Sequence, residues 1–142
     1  MMRSVFITAL ILSSVEIGHA VPQPSTTGGA VFVAYFWRAK PGQAEAYGAY
    51  IRTVAEPIDE NARRAGVFEE VRTVTPGAGT TADWTHLRIF RLKNAAAAEA
   101  LGAGLDAATA RVVPDETQRK ANSERSASMR DLVRREVWAE LR

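Results

Sequence analysis

Ala-Val-Phe-Val-Ala-Tyr-Phe-Trp-Arg, residues 30–38, is an unbroken run of strand-forming side chains. Strand alternation places Val31, Val33, Tyr35 and Trp37 on one side and Phe32, Ala34 and Phe36 on the other. Both sides are apolar. A strand of that kind needs cover above and below, which predicts the central strand of a sheet with a layer packed on each face.

Downstream, Pro41-Gly42 turns the chain. Tyr47, Tyr50, Ile51, Val54, Ile58, Ala62 and Ala65 then recur at three- and four-residue steps, the stripe of an amphipathic helix. Pro57 lies inside that pattern and lacks the backbone donor a helix interior needs, so a kink or break is expected there. Gly66 is the expected stop. Residues 67–75 and 83–91 read as two strands joined by a loop of turn formers, Pro-Gly-Ala-Gly-Thr-Thr-Ala. Asn94 is a predicted N-cap for an alanine-rich helix to about Thr109, with Ala97, Leu101 and Leu105 inward. Asp115 to Ser126 is too polar for core and suits either a solvated helix or a loop. The final stretch, residues 129–142, fits an alternating strand or an amphipathic helix; the strand is preferred because it completes a β-α-β-β-α-β order.

Upstream, Met1-Met2-Arg3 is a positive start, Ser4 to Val15 is largely apolar, and Gly18-His19-Ala20 sets small residues before a cut. This is the layout of a secretory signal peptide, residues 1–20, and it predicts a secreted or periplasmic protein. The apolar run ends at Glu16 after about a dozen residues, short of the roughly 20 of a membrane span, so no stable membrane insertion is expected after cleavage. Residues 21–29, rich in Pro, Ser, Thr and Gly, read as a flexible leader to a single domain over 30–142.

Losing Arg3 and Glu16 takes the 18 basic and 16 acidic side chains to 17 and 15, scattered along the chain. Such a balance gives no footprint for nucleic acid. The chain has no cysteine, which excludes disulfides, thiolate metal sites and cysteine nucleophiles. No Gly-x-Ser-x-Gly, phosphate-binding loop or dinucleotide fingerprint occurs. With one histidine beyond residue 20, a zinc site is improbable, and no metal or cofactor is expected; haem on His86 has only that one imidazole in its favour.

The stretch FWRAKPGQAEAYGAYI, residues 36–51, runs a strand into Lys-Pro-Gly and then places tyrosines in the first helix turns. Together with the element order, it resembles the dimeric α+β-barrel superfamily of ferredoxin-like domains, over roughly Val31 to Leu141. The resemblance implies an α+β fold with an antiparallel sheet, helices on one face, and a second copy of the chain covering the other. Its members include cofactor-independent monooxygenases, haem enzymes and isomerases. No catalytic motif of one branch matches residue by residue.

A hairpin centred near Ala78 and Gly79 would set Arg72 opposite His86 and Glu70 opposite Arg88, on one side with Phe68, Trp84 and Phe90. Val67, Val71, Leu87 and Ile89, the aliphatic side, would then pack under the helices. His86 is the natural proton-transfer candidate near neutral pH, with Arg72 or Arg88 beside it and Glu70 to orient it. The alternative is a half-buried cross-strand histidine and a cross-strand Glu70–Arg88 ion pair. Tyr35, Trp37, Trp84 and Trp138 would form an aromatic pocket, or else fill core. Tyr47 and Tyr50 would face the crevice between helix and sheet, and the bend near Glu56-Pro57 would aim a carboxylate there, unless Asp59 and Glu60 simply face water. Three readings stay open: a homodimeric binder of a small apolar or aromatic molecule, a cofactor-free enzyme using His86 with a neighbouring arginine, and a structural or stress-related envelope protein.

Overall fold

A computed structural model describes residues 28–141; the expected signal peptide and most of the leader lie outside them. A four-stranded antiparallel sheet has the order β2-β3-β1-β4, built from β1 (Val31–Ala39), β2 (Glu70–Val74), β3 (His86–Leu92) and β4 (Arg130–Ala139). As its two apolar faces require, β1 is central, hydrogen-bonded to β3 on one side and β4 on the other.

The first helical run is continuous but not uniform. Helix α1 (Ala44–Tyr50) passes through a π segment (Ile51–Ala55) into α2 (Glu56–Arg64), and the Glu56 N–H donates to the Ile51 carbonyl. The expected irregularity is therefore present, and its position has a cause. Pro57 offers no N–H to the carbonyl one turn back, and the wider π turn just upstream absorbs the mismatch. The run ends at Gly66 with φ of 77°, where the Gly66 N–H meets the Arg63 carbonyl at 3.0 Å and the Val67 N–H meets Ala62 at 3.1 Å. Those two bonds form a Schellman close, which needs the left-handed conformation that glycine adopts freely.

Helix α3 (Ala95–Val112) is capped by Asn94, whose Oδ1 accepts from the Ala97 N–H at 2.9 Å. The polar stretch after Pro114 is also helical: α4 (Glu116–Met129), capped by Asp115 through the Gln118 N–H at 2.6 Å. It adds one helix to the expected order. Its surface is mostly solvated, and it is tied down at few points, including Tyr50 Oη donating to the Asn122 carbonyl at 3.2 Å. The last segment is a strand. With ten residues in β4 against nine in β1, the ladder slips between Phe36 and Trp37, so Phe36 pairs with Arg134 and Trp37 with Leu132.

The helices lie on one face. Val31, Val33, Phe90 and Leu92 pack beneath Ala62 of α2 and Ala98, Leu101 and Ala108 of α3; Ala39, Tyr47, Ile51 and Met129 form a second cluster under α1 and α4. The opposite face holds Ala34, Phe36 and Leu87, with Trp84, Ile89 and Val133 against them, and none of that cluster comes from a helix.

The hairpin register differs from the expected one. Glu70 pairs with Arg91, Arg72 with Ile89 and Thr73 with Arg88, three positions away from an Arg72–His86 pairing. An odd slip exchanges faces. His86, Arg88 and Phe90 therefore lie under the helices with Val71, whereas Leu87 and Ile89 share the open face with Glu70 and Arg72. The physical reason is that the turn at Ala78-Gly79, closed by the Thr80 N–H on the Gly77 carbonyl at 3.1 Å, lies inside a long loop away from the last paired residues, Val74 and Leu87, so it does not set the register. The start of β3 is instead anchored by Thr85, whose Oγ1 accepts from the Ala39 N–H at 2.8 Å and whose N–H donates to the Trp37 carbonyl at 2.9 Å.

Candidate functional site

Between the helices and the sheet is a cavity of about 300 Å³ lined by Tyr35, Trp37, Tyr47, Tyr50, Asp59, Arg88 and Arg130, with Ile51, Ala55, Ile58, Phe90, Leu105 and Thr109 as its apolar walls. β1 contributes Tyr35 and Trp37, whose rings stack at 6.2 Å and 12° because residues two apart on a strand share a face. Phe90 meets Tyr35 edge-on at 6.0 Å. Helix α1 contributes Tyr47 and Tyr50, stacked at 6.5 Å and 21°, one turn apart. Aromatic walls of this kind suit a flat ligand.

Three charged groups sit among those rings. Asp59 of α2 is 5% exposed and takes a salt bridge from Arg88 of β3. Burial raises the Asp59 pKa above the ordinary carboxylate value, and Arg88 opposes that rise. Arg130, first residue of β4, lays its guanidinium 3.3 Å from the Trp37 ring centre and 5.2 Å from that of Tyr47, while its Nε donates to Ser126 Oγ at 2.8 Å. Burial lowers the Arg130 pKa and raises that of Tyr47. Among the described residues, Arg130 takes part in no carboxylate ion pair. The slip in the β1–β4 ladder is what aims it inward. Arg134 and Trp138 lie on the open face, and strict alternation would have sent Arg130 there too.

Of the residues expected at a site, Tyr35, Trp37, Tyr47, Tyr50 and Arg88 line this cavity together. His86 does not line it. The imidazole is 6% exposed, sits edge-on to Tyr47 at 4.8 Å, and shares a hydrogen bond of 2.9 Å between Nδ1 and Thr85 Oγ1. Burial lowers its pKa, and Arg72, expected beside it, is on the other side of the sheet. Glu70 pairs with Arg72 at the surface, not with Arg88. Trp84 and Trp138 also lie across the sheet, both edge-on to Phe36, so the expected four-ring pocket is divided between two faces. Glu56 points to solvent, and the carboxylate that the bend turns inward is Asp59. One extra residue in the π segment advances the helix by about 100°, which carries Asp59 under the helix; Pro57 was the available signal. Arg130 was missed because nothing local marks the ladder slip.

A second, shallower groove of about 500 Å³ runs over the open face between Phe32, Ile89 and Trp138, edged by Glu70, Arg72 and Arg91.

No family model matches the chain, and no curated protein sequence does. Among solved structures it is similar to HapK from Hahella chejuensis, with a TM-score of 0.52 and 14% identity over 78% of this chain and 92% of that one. An EthD-like protein from Ralstonia eutropha JMP134 gives a TM-score of 0.48 and 13% identity over 79% and 92%. The likeness is one of fold. This chain shares the α+β architecture of HapK, an antiparallel sheet with helices.

Proposed function

We propose that this chain binds a small, flat aromatic molecule in the crevice between its helices and its sheet. The observation that carries this reading is the aromatic cavity itself, in which four rings from β1 and α1 surround a space near two guanidinium groups and one carboxyl. A close-packed core of this size would hold no such space, and core arginines are rarely left beside one. The purified protein is expected to carry an aromatic passenger in native mass spectrometry and to bind neutral 2-naphthamide by calorimetry. Ala55→Phe, which fills the cavity from the π segment, is expected to abolish that binding with the melting curve retained. Equal binding by the filled variant would move the site elsewhere.

The ferredoxin-like, dimeric-barrel form belongs to the same proposal. A second copy seated on the open face would cover Ile89, Trp138 and the groove between them; Trp138 is 38% exposed in the single chain. Export through residues 1–20 is proposed as well, and an exported product whose first residue is Val21 would support it.

A second reading, a cofactor-free enzyme, is favoured by one feature: a buried carboxyl of raised pKa lining the cavity. Proton transfer would then fall to Asp59 and not to His86, which lies behind Tyr47. Turnover of an enolisable aromatic substrate that survives His86→Gln but not Asp59→Asn is the pattern this reading expects.

A further inference from the structure

We infer that the molecule held in this cavity is an aromatic anion, a compact carboxylate or enolate, and that Arg130 is the group that recognises its charge. The inference rests on the cavity being a ligand site and adds the chemical class of the ligand. It follows from a charge count on one face of the sheet. Arg88 and Asp59 are ion-paired, 13% and 6% exposed, and cancel. Arg130 is left as a guanidinium with aromatic rings along its plane and Ser126 Oγ on its Nε. A guanidinium has five N–H donors and remains charged in proteins, so donors are still available beyond those that meet Ser126 Oγ and the Tyr47 hydroxyl. Within the cavity the ionisable groups acting on it are the hydroxyls of Tyr47 and Tyr50 and the guanidinium of Arg88, which repels it; the open groove on its far side is lined by Asp106, Glu116 and Asp131 with Arg119 and Lys120.

The cavity thus carries about one net positive charge between aromatic walls, a setting in which a cation is poorly solvated and an anion is gained cheaply. Its volume, about 300 Å³, equals roughly ten waters and admits a one- or two-ring aromatic acid. Stacking of Arg130 on Trp37 fixes the guanidinium plane, so a carboxylate can meet two N–H groups side by side while its ring lies near the tyrosines.

The test compares two ligands of one shape that differ in charge, 2-naphthoate and 2-naphthamide, by calorimetry at pH 7.5. The wild-type protein is expected to bind the carboxylate on the order of tenfold to a hundredfold more tightly, the range of a charge-assisted bond. Arg130→Gln is expected to bring the ratio of carboxylate to amide affinity close to one, whatever its effect on the amide alone, while Arg130→Lys keeps part of the preference. Melting curves and circular dichroism establish that both variants are folded. Equal affinities in the wild type would overturn the anion class and leave the aromatic site standing. A preference that persists in Arg130→Gln would overturn the role of Arg130. Failure of both probes to bind the wild type would remove the ligand site and this inference with it.

Discussion

The two faces of the sheet hold the same residue types and use them differently. Each has aromatic rings, arginines and carboxylates. Under the helices, the Asp59–Arg88 pair is nearly shut off from water, at 6% and 13% exposure. On the open face, Arg134 reaches both Asp83 and Glu136 with partners 55% and 37% exposed, and Arg72 holds Glu70 in the open. Water screens the second set and not the first. The arginine cover also differs. Arg134 lies 3.8 Å above the Phe36 ring and lets Phe36 stay 5% exposed without any helix over it. The same strand gives one face a solvated lid and the other a charge enclosed among rings.

The largest break in this comparison is expected from Asp59→Ala. It leaves Arg88 charged, buried and unpaired, and denaturant unfolding is expected to show a loss of about 3–5 kcal/mol. Asp59→Asn, which keeps a hydrogen-bond acceptor, is expected to lose less. Next in size is Ile89→Glu in the open-face groove. If a second copy sits there, light scattering is expected to show at least a hundredfold weaker self-association, about 2.7 kcal/mol, with 2-naphthamide binding unchanged. A wild-type protein that is a single copy at micromolar concentration would remove the dimer.

How much of this was legible beforehand depended on whether a local rule governed the feature. The central place of β1 followed from two apolar faces, Gly66 and Asn94 closed and opened helices as their chemistry demands, and the terminal segment followed alternation into a strand. The hairpin register did not yield to the same reasoning. The turn at Ala78-Gly79 forms, but it lies apart from the last ladder pair, Val74 and Leu87, and the anchor is a long-range contact from Thr85 to the end of β1. Five candidates, Tyr35, Trp37, Tyr47, Tyr50 and Arg88, come together in one cavity because strand alternation and helical spacing predict a face. Asp59 and Arg130 each depended on a phase change, one in a helix, where Pro57 marks an irregularity but not its direction, and one in a ladder, where no neighbouring residue marks it.

A smaller effect sharpens the comparison through pH. Burial sets the His86 pKa below its ordinary 6.5 in the folded chain, so between that depressed value and 6.5 the unfolded chain binds more protons. The contribution of His86 is therefore fully present above pH 6.5 and declines as pH falls. Asp59 has the opposite sign: its pKa is raised from 3.8, so its contribution declines as pH rises through the window above 3.8. Melting temperatures of wild type and His86→Gln are expected to diverge in their pH slope below 6.5 and run parallel above it. Smallest of all is Arg72→Ala, whose side chain is 72% exposed; a change within about 0.5 kcal/mol is expected in the same denaturant experiment.

The one-residue slip in the β1–β4 ladder carries a consequence for how such a chain can change. Because it sits between Arg130 and Arg134, it divides β4 into two halves whose outward and inward positions are set independently. Loss of a single residue there would turn the first half over, exporting the inner guanidinium to solvent while Arg134, Glu136 and Trp138 kept their places. Gain or loss of affinity for charged cargo in this architecture would thus come from a deletion, a route that comparison of aligned side-chain identities alone would overlook.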